Sequence, residues 1–374
     1  MIYFDNGATS WPKPNRVYRG VYDYMKHHAA NPGRSGHRMA RESSDMMYCC
    51  RELIASLVGL DNPSDVIFTK NTTEALNIVI KGILKPGDEA ICTSMEHNSV
   101  YRPLDKMSER GVKFHIVWGN ENGVINPSQI EEKINNKTKL IIVNHVSNVC
   151  GIIQDIDAIG EIARKNGVVF LVDGAQSGGI VKYNMKNIDF LCLAGHKGLY
   201  GPMGTGVLCI NSPCNIASLM EGGTGSYSSE FSQPSELPDF LESGTLNGVG
   251  IAGLLEGVKF VTVVGEDAVL SHDRALRKYF VDGLSVIPNT VVYGEKDSSL
   301  TTGVVAFNRT DMDCVRLSSV LDDKYDIASR AGFHCAYPAH KTIGSINGSV
   351  RFSFGYFNTK EQVSKALFAI SHAK

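Results

Sequence analysis

From about residue 66 to 210 the chain alternates short apolar, β-branched runs with longer amphipathic stretches. The strand candidates are VIFT (66–69), EAICTS (89–94), VKFHIVW (112–118), KLIIVNHV (139–146), GVVFLVD (167–173), DFLCLAG (189–195) and GVLCI (206–210). Helical patterns lie between some of them, such as PSQIEEKINN (127–136) and DIDAIGEIARKNG (155–167), the latter closing on Gly167. Strands with few polar interruptions suit a sheet covered on both faces, so the pattern predicts an α/β fold around a mostly parallel seven-stranded sheet. Upstream, Met46, Met47, Cys50, Leu53, Ile54, Leu57 and Val58 recur at three- and four-residue intervals, which predicts an amphipathic helix over 39–58.

Past residue 256 the texture changes. A helix over HDRALRKYFVDGL leads to strands at TVVYG and GVVAFN, a helix after Asp313, and a last strand and helix. The division this suggests is a large domain over 15–256 and a smaller α+β C-terminal domain over 257–374, joined by an N-terminal arm of residues 1–14. A chain of 374 residues exceeds one compact core, in keeping with that division.

Charge is nearly balanced, with 37 basic and 39 acidic residues, so no electrostatic footprint for nucleic acid or an anionic membrane is expected. MIYFDNGATS has neither a cationic nor an apolar leader segment, and VVFLV is far too short to span a bilayer. The expectation is a soluble, cytoplasmic protein. The nine cysteines (49, 50, 92, 150, 192, 209, 214, 314 and 335) contain no C-x-x-C pair, and several sit in strand runs. Neither a disulfide framework nor a metal site fits, and most read as small buried apolar residues. Cys49 and Cys50 read as helix packing, and His27 and His28 as an exposed helix end.

The densest chemistry lies in VDGAQS (172–177) and LAGHKGLYGPMGTG (193–206). The first ends a strand on Asp173, and the carboxyl ends of strands line the ligand crevice of α/β sheets. The second presents Lys197 in a glycine-rich loop that a cofactor could approach closely. A lysine so placed suits a Schiff base, above all with pyridoxal phosphate. Asp173 could pair with the pyridine nitrogen and Gln176 with the phenolic oxygen. NTTEALNIVIKG (71–82) offers a helix start for the phosphate, with Asn71 and Glu74 spaced as a capping box. His97, just past a strand end, could stack on the ring.

At these residues the chain resembles the class V aminotransferase-like group of fold-type I pyridoxal enzymes, closest to cysteine desulfurases and selenocysteine lyases. The matching segments are YFDNGAT (3–9), NTTEALN (71–77), EHNS (96–99), VSNVCG (146–151), VDGAQ (172–176), AGHKGLYGPMGTG (194–206), ESGTLN (242–247) and RAGFHCA (330–336). The resemblance implies a pyridoxal 5'-phosphate enzyme with Lys197 as the Schiff-base lysine, Asp173 and Gln176 on the ring, and His97 stacked upon it. It implies Thr72, Thr73 and His196 at the phosphate, with Thr245 reaching the phosphate of a neighbouring subunit in a homodimer. It places Asn148 against both cofactor and substrate, makes Arg351 the fork for the substrate carboxylate, and puts Asn31 and His37 of NPGRSGHR (31–38) at a neighbouring site.

The resemblance also makes Cys335, in GFHCAYPAHK (332–341), the nucleophile that takes sulfur from L-cysteine as a persulfide and leaves alanine. Its 16-residue separation from Arg351 resembles the desulfurase group with the short cysteine loop. A free thiol ionises near ~8.5, so a donor or positive charge must favour the thiolate; Arg330, His334 and His340 are the candidates by proximity. Departures from relatives are Ala194, where a phosphate-binding hydroxyl is common, Phe333, where histidine is common, and the segment 220–245. The alternatives are a selenocysteine lyase, an aminotransferase, and a sulfur carrier or scaffold without catalysis. A separate sulfur-acceptor protein is a possible partner.

Overall fold

The computed structural model describes residues 1–33, 36–212 and 215–374; Cys214 and two residues of the 31–38 segment fall outside these. The seven expected runs form one sheet: β1 (Val66–Thr69), β2 (Glu89–Thr93), β3 (Lys113–Val117), β4 (Thr138–Asn144), β5 (Val169–Asp173), β6 (Phe190–Ala194) and β7 (Gly206–Ile210). Their order is β1-β7-β6-β5-β4-β2-β3. Strand β7 is antiparallel to both β1 and β6, whereas all other neighbours are parallel. Every strand but β7 therefore points the same way, and six carboxyl ends share one edge.

The pleat explains why these strands carry little polar alternation. Ile91, Ile141, Val143, Phe170, Val172, Leu191, Leu193, Val207 and Cys209 feed one apolar layer. Their alternating neighbours, including Cys92, Leu140, Ile142, Leu171, Phe190, Cys192 and Leu208, feed a second layer on the opposite face. Helices α1 (Asn15–Asp23), α2 (Arg38–Val58), α3 (Thr72–Ile83), α4 (Asn98–Ser108) and α5 (Ile156–Lys165) follow in the first two thirds of the chain. Helices α2 and α5 cover the first layer, and α3 and α4 the second. The stripe on α2 is core, with Cys50 and Ile54 fully buried. Cys49, one residue earlier, faces solvent, because adjacent helical positions diverge by about 100°. Of PSQIEEKINN only Pro127–Glu131 is helical. The Asn135 side chain accepts from the backbone of Lys137 at 2.8 Å, the local competition that makes asparagine a poor helix former.

Helix α6 (Gly248–Val264) runs unbroken through residues 256 and 257, then meets α7 (Glu266–Leu284) at 81° across Gly265. Among the described residues no single helix is long and apolar enough to cross a membrane. Strands β8 (Thr290–Tyr293), β9 (Val304–Arg309), β10 (Arg330–Gly332) and β11 (Ser349–Ser353) form an antiparallel sheet of order β10-β11-β9-β8. Helices α8 (Cys314–Tyr325), α9 (Tyr337–Thr342) and α10 (Lys360–His372) follow; α9 sets Ala339 in the first layer of the large sheet, whereas α7, α8 and α10 pack on this smaller one. Phe280, Phe307, Phe352 and Phe354 form its core, and Phe4 of the N-terminal arm packs on Phe352 with ring centroids 4.9 Å apart. The arm is thus pinned to the C-terminal sheet at Phe4, while the residues after it cross to the large sheet.

Candidate active site

At the shared carboxyl edge of the large sheet lies an open cleft with an empty volume of about 460 Å³, open solvent included. Thr72 and Thr73 after β1, His97 after β2, Asn148 after β4, Asp173 and Gln176 at the end of β5, and His196 and Lys197 after β6 all line it. The eight positions expected to surround one cofactor within a chain are brought together from five strand ends.

Each is held by local chemistry. Asn71 caps α3 by accepting from the Glu74 backbone at 2.9 Å, leaving Thr72 and Thr73 in the first turn. The expected capping box is only half formed, since Glu74 accepts from Lys70 N at 2.5 Å. His97 caps α4: its Nδ1 accepts from Ser99 N at 3.0 Å, which places the ring proton on Nε2. Burial, with Lys197 and Arg330 nearby, lowers its pKa to about 4, so the ring is neutral. Ser99, to which the sequence reading assigned nothing, lines the cleft and links Thr73 Oγ1 at 2.8 Å to His97 Nδ1 at 2.9 Å. Its signal was its place at the start of α4, two residues after the capping histidine.

Lys197 is half-buried, and its desolvation lowers its pKa to about 8 against the opposing pull of Asp173. Asp173 is pushed up from the usual carboxylate range by burial; its Oδ1 accepts from Ala175 N at 2.9 Å. The glycines of the lysine loop serve the chain's own packing more than a ligand's approach. A Cβ on Gly195 would stand 2.2 Å from Thr205 Oγ1, and one on Gly198 would stand 2.3 Å from the Gly178 carbonyl. Gln176 spends one amide N–H on the carbonyl of Gly7 in the arm at 2.9 Å, leaving the second for the cleft.

Arg351 is not an open fork. It is 1 % exposed, gives Nη2 to Asp5 at 2.6 Å and Nη1 to the Asn148 carbonyl at 2.9 Å, and keeps a buried Nε without a partner. A fully buried guanidinium needs such pairing to offset its desolvation. Asp5 lies within YFDNGAT, a segment read for its resemblance without a role for this side chain.

The cysteine loop leaves β10, where Arg330 lies beside Arg351 of β11. His334 (φ 49°) and Cys335 (φ 59°) are both left-handed, a costly backbone for non-glycine residues and one that marks functional turns. Asn148 Nδ2 holds the His334 carbonyl at 2.7 Å, and Asn98 N holds the Cys335 carbonyl at 2.7 Å, next to His97. The thiol itself is exposed, and Arg330 Nη2 reaches Sγ at 3.7 Å. His334 and His340 supply no charge: burial lowers them to about 2 and about 4, and their rings lie against each other at 5.2 Å. Of the three candidates only Arg330 is a cation at the sulfur.

Thr245, Asn31 and His37 do not reach this cleft. Thr245 is exposed beside a second cleft with Glu242 and Asn247, Asn31 is exposed in a third, and His37 caps α2 through Ala40 N at 3.2 Å. Among the described residues no group of three or more metal-binding side chains converges.

The aminotransferase class-V family model matches residues 2–366. The chain belongs to that family, in its cysteine desulfurase group. Proteins named "Probable cysteine desulfurase" from Pyrococcus abyssi and Methanothermobacter thermautotrophicus are 35% and 33% identical over 378 and 372 residues, which covers 98% and 97% of this chain and 92% of each relative. The solved apo cysteine desulfurase of Thermococcus onnurineus superposes with a TM-score of 0.93 at 34% identity, covering 99% of this chain and 94% of the other. The S-sulfonic acid form of the cysteine desulfurase CsdA from Escherichia coli gives 0.90 at 28% identity, covering 99% and 94%. This member of the group therefore has the fold-type I architecture expected of a pyridoxal-phosphate enzyme.

Proposed function

We propose that the chain takes sulfur from L-cysteine using pyridoxal phosphate held on Lys197, transfers it to Cys335 as a persulfide, and releases L-alanine. The observation that carries this reading is the hydrogen bond from Asn148 to the His334 carbonyl, which joins the two regions. Asn148 lines the Lys197 cleft and holds the loop that bears the exposed Cys335 thiol.

The residues fit the cofactor by their unmet needs. Asp173 is a buried carboxyl with one backbone donor, suited to a cationic ring nitrogen. His196 Nδ1 and Asn148 Oδ1 are buried at the cleft without partners. The first turn of α3 supplies backbone N–H groups for a phosphate, with Thr72, Thr73 and His196 around it. When bound, the cofactor supplies the electron sink that lets the substrate's carbon–sulfur bond break.

The chain's own groups do the rest. The amine of Lys197, neutral above about pH 8, would hold the cofactor and would carry the α-proton of the substrate. Arg351, whose Nη1 and Nη2 are held by Asn148 and Asp5, offers the substrate carboxylate its one unpartnered nitrogen, Nε, rather than the open fork the resemblance implied. The Cys335 thiolate attacks the substrate sulfur. The new S–S bond forms as the substrate's carbon–sulfur bond breaks, and a proton completes alanine. Arg330 steadies the attacking sulfur. Thr245, Asn31 and His37, exposed away from their own cleft, serve the site of a second copy in a homodimer, and the exposed persulfide passes to an acceptor.

The test is alanine formation from L-cysteine by protein reconstituted with pyridoxal phosphate, with no 2-oxo acid added, and sulfide formation when dithiothreitol is present to reduce the Cys335 persulfide. Lys197→Ala should abolish both products and the visible absorbance band of the bound cofactor. A Lys197→Ala protein that keeps the band and forms alanine overturns the reading.

A further inference from the structure

Four donors converge on one backbone oxygen beside Lys197. The carbonyl of His196 accepts from Ser10 N at 3.0 Å, Thr9 Oγ1 at 3.1 Å, Ser10 Oγ at 3.2 Å and Lys13 Nζ at 3.0 Å. All four come from the N-terminal arm. A carbonyl oxygen has two lone pairs, so it is saturated beyond what fold stability needs. The ammonium makes the charge-assisted bond of the set.

Lys13 is unusual in its own right. Its Nζ bonds only Ser10 Oγ at 2.8 Å and the His196 carbonyl, and among the described residues it has no carboxylate partner. It is largely withdrawn from water, and burial lowers its pKa to about 8. Confining a long charged side chain without a counter-ion costs rotamer freedom and hydration. A sequence keeps such a group where its contact does something else. The contact here is with the peptide that joins His196 to Lys197.

We propose that Lys13 is a positioning residue for Lys197. By clamping the His196 carbonyl, the arm fixes the plane of the His196–Lys197 peptide, and that plane sets the direction in which the Lys197 side chain leaves the backbone. Packing fixes the other side of the loop: Gly195 N bonds Thr205 O at 3.0 Å, and Tyr200 N bonds Lys197 O at 2.9 Å. The clamp lies on the arm that also gives Asp5 to Arg351 and the Gly7 carbonyl to Gln176. One short N-terminal segment therefore aligns the lysine, the ring-facing amide and the carboxylate-binding arginine.

The inference rests on the assignment of Lys197 as the reacting lysine, and its test is chosen to stand apart from that assignment. In cofactor-free full-length protein, the rate of Lys197 acetylation by a trace of acetic anhydride is followed against pH by peptide mass spectrometry. Unmodified amine reacts and ammonium does not. The rate should rise through a midpoint near pH 8 in the parent chain, well below the ordinary lysine value, because burial favours the neutral form. In Lys13→Met, a loosened peptide lets the amine reach water, so the Lys197 midpoint should move upward, with exposed Lys85 unchanged as the internal reference. Lys13→Arg, which keeps a cation at the carbonyl, should restore the parent midpoint. After reconstitution, Lys13→Met should lower kcat about tenfold with KM for L-cysteine within twofold, the scale of one lost charge-assisted hydrogen bond.

A folded Lys13→Met protein whose Lys197 midpoint matches the parent overturns the proposal, whatever Lys197→Ala does to the cofactor band. If Lys13→Met does not fold, Ser10→Ala decides. An upward shift of the Lys197 midpoint supports the clamp, and no shift overturns it.

Discussion

The Lys197 cleft and the Cys335 loop are joined at Asn148, yet they are built on opposite plans. The cleft is walled by half-buried groups around one buried carboxyl, and their charges are suppressed: Lys197 near 8, His97 and His196 near 4, and Asp173 raised. Five strand ends hold these groups, so their positions follow from a sheet that has no other way to pack. The loop carries an exposed thiol on two left-handed residues, fastened by two hydrogen bonds to the cleft's rim. A site that must hold one cofactor through every turnover can be rigid and dry. A sulfur that must leave with an acceptor has to be reachable, and the backbone strain at His334 and Cys335 accompanies that exposure.

If the two regions divide the labour this way, removing the thiol should separate them completely. Cys335→Ser should keep the cofactor's absorbance band and lower sulfide release at least 100-fold, the scale expected when a nucleophile is lost. The converse substitution, Lys197→Ala, should lose both. Sulfide release retained in Cys335→Ser would erase the distinction between the regions.

The two regions also differ in how far the sequence foretold them. All seven sheet strands were legible, because parallel strands buried on both faces leave uninterrupted apolar runs. Lys197, Asp173, Gln176 and His97 were legible for the related reason that strand ends and glycine-rich turns are marked by local chemistry, whereas Thr72, Thr73, His196 and Asn148 were named only through the family resemblance. What the sequence did not show is contact across long separations. Nothing local says that Asp5 holds Arg351 346 positions away, or that Gly7 holds Gln176 169 away. Thr245, Asn31 and His37, expected at a neighbouring copy's site, lie apart from the cleft of their own chain. The loop histidines were misjudged because proximity in sequence suggests charge, whereas burial removes it.

A smaller effect probes what surrounds the sulfur. Arg330 is its one cationic donor among the described residues, at a long 3.7 Å. Hydrogen bonds to charged groups are worth about 1.5–3 kcal/mol, and the length places this one at the low end. Arg330→Gln should therefore reduce kcat for sulfide release about tenfold while leaving the cofactor band in place. A His334→Gln protein, which removes no charge because that ring is neutral, should retain the rate more fully. The reverse ranking would restore the histidine as the activating group.

The smallest effect concerns Phe333, one of the three departures noted from the family resemblance. Its ring meets Tyr337 edge-on at 5.2 Å and the neutral His340 at 5.6 Å, and it is 43% exposed. Neither contact touches the thiol or the cleft, so the aromatic side chain braces the outer wall of the loop rather than tuning its sulfur. Edge-to-face pairs contribute about 0.5–1.5 kcal/mol each when buried, and exposure puts these at the lower bound. Phe333→Ala should thus cost about 1 kcal/mol by denaturant titration and change kcat for sulfide release less than threefold. A fall of 100-fold, matching Cys335→Ser, would mean that the loop's geometry depends on its aromatic wall more than on the bonds from Asn148 and Asn98. The contrast between a rigid cleft and a tethered loop would then have its tether in the wrong place.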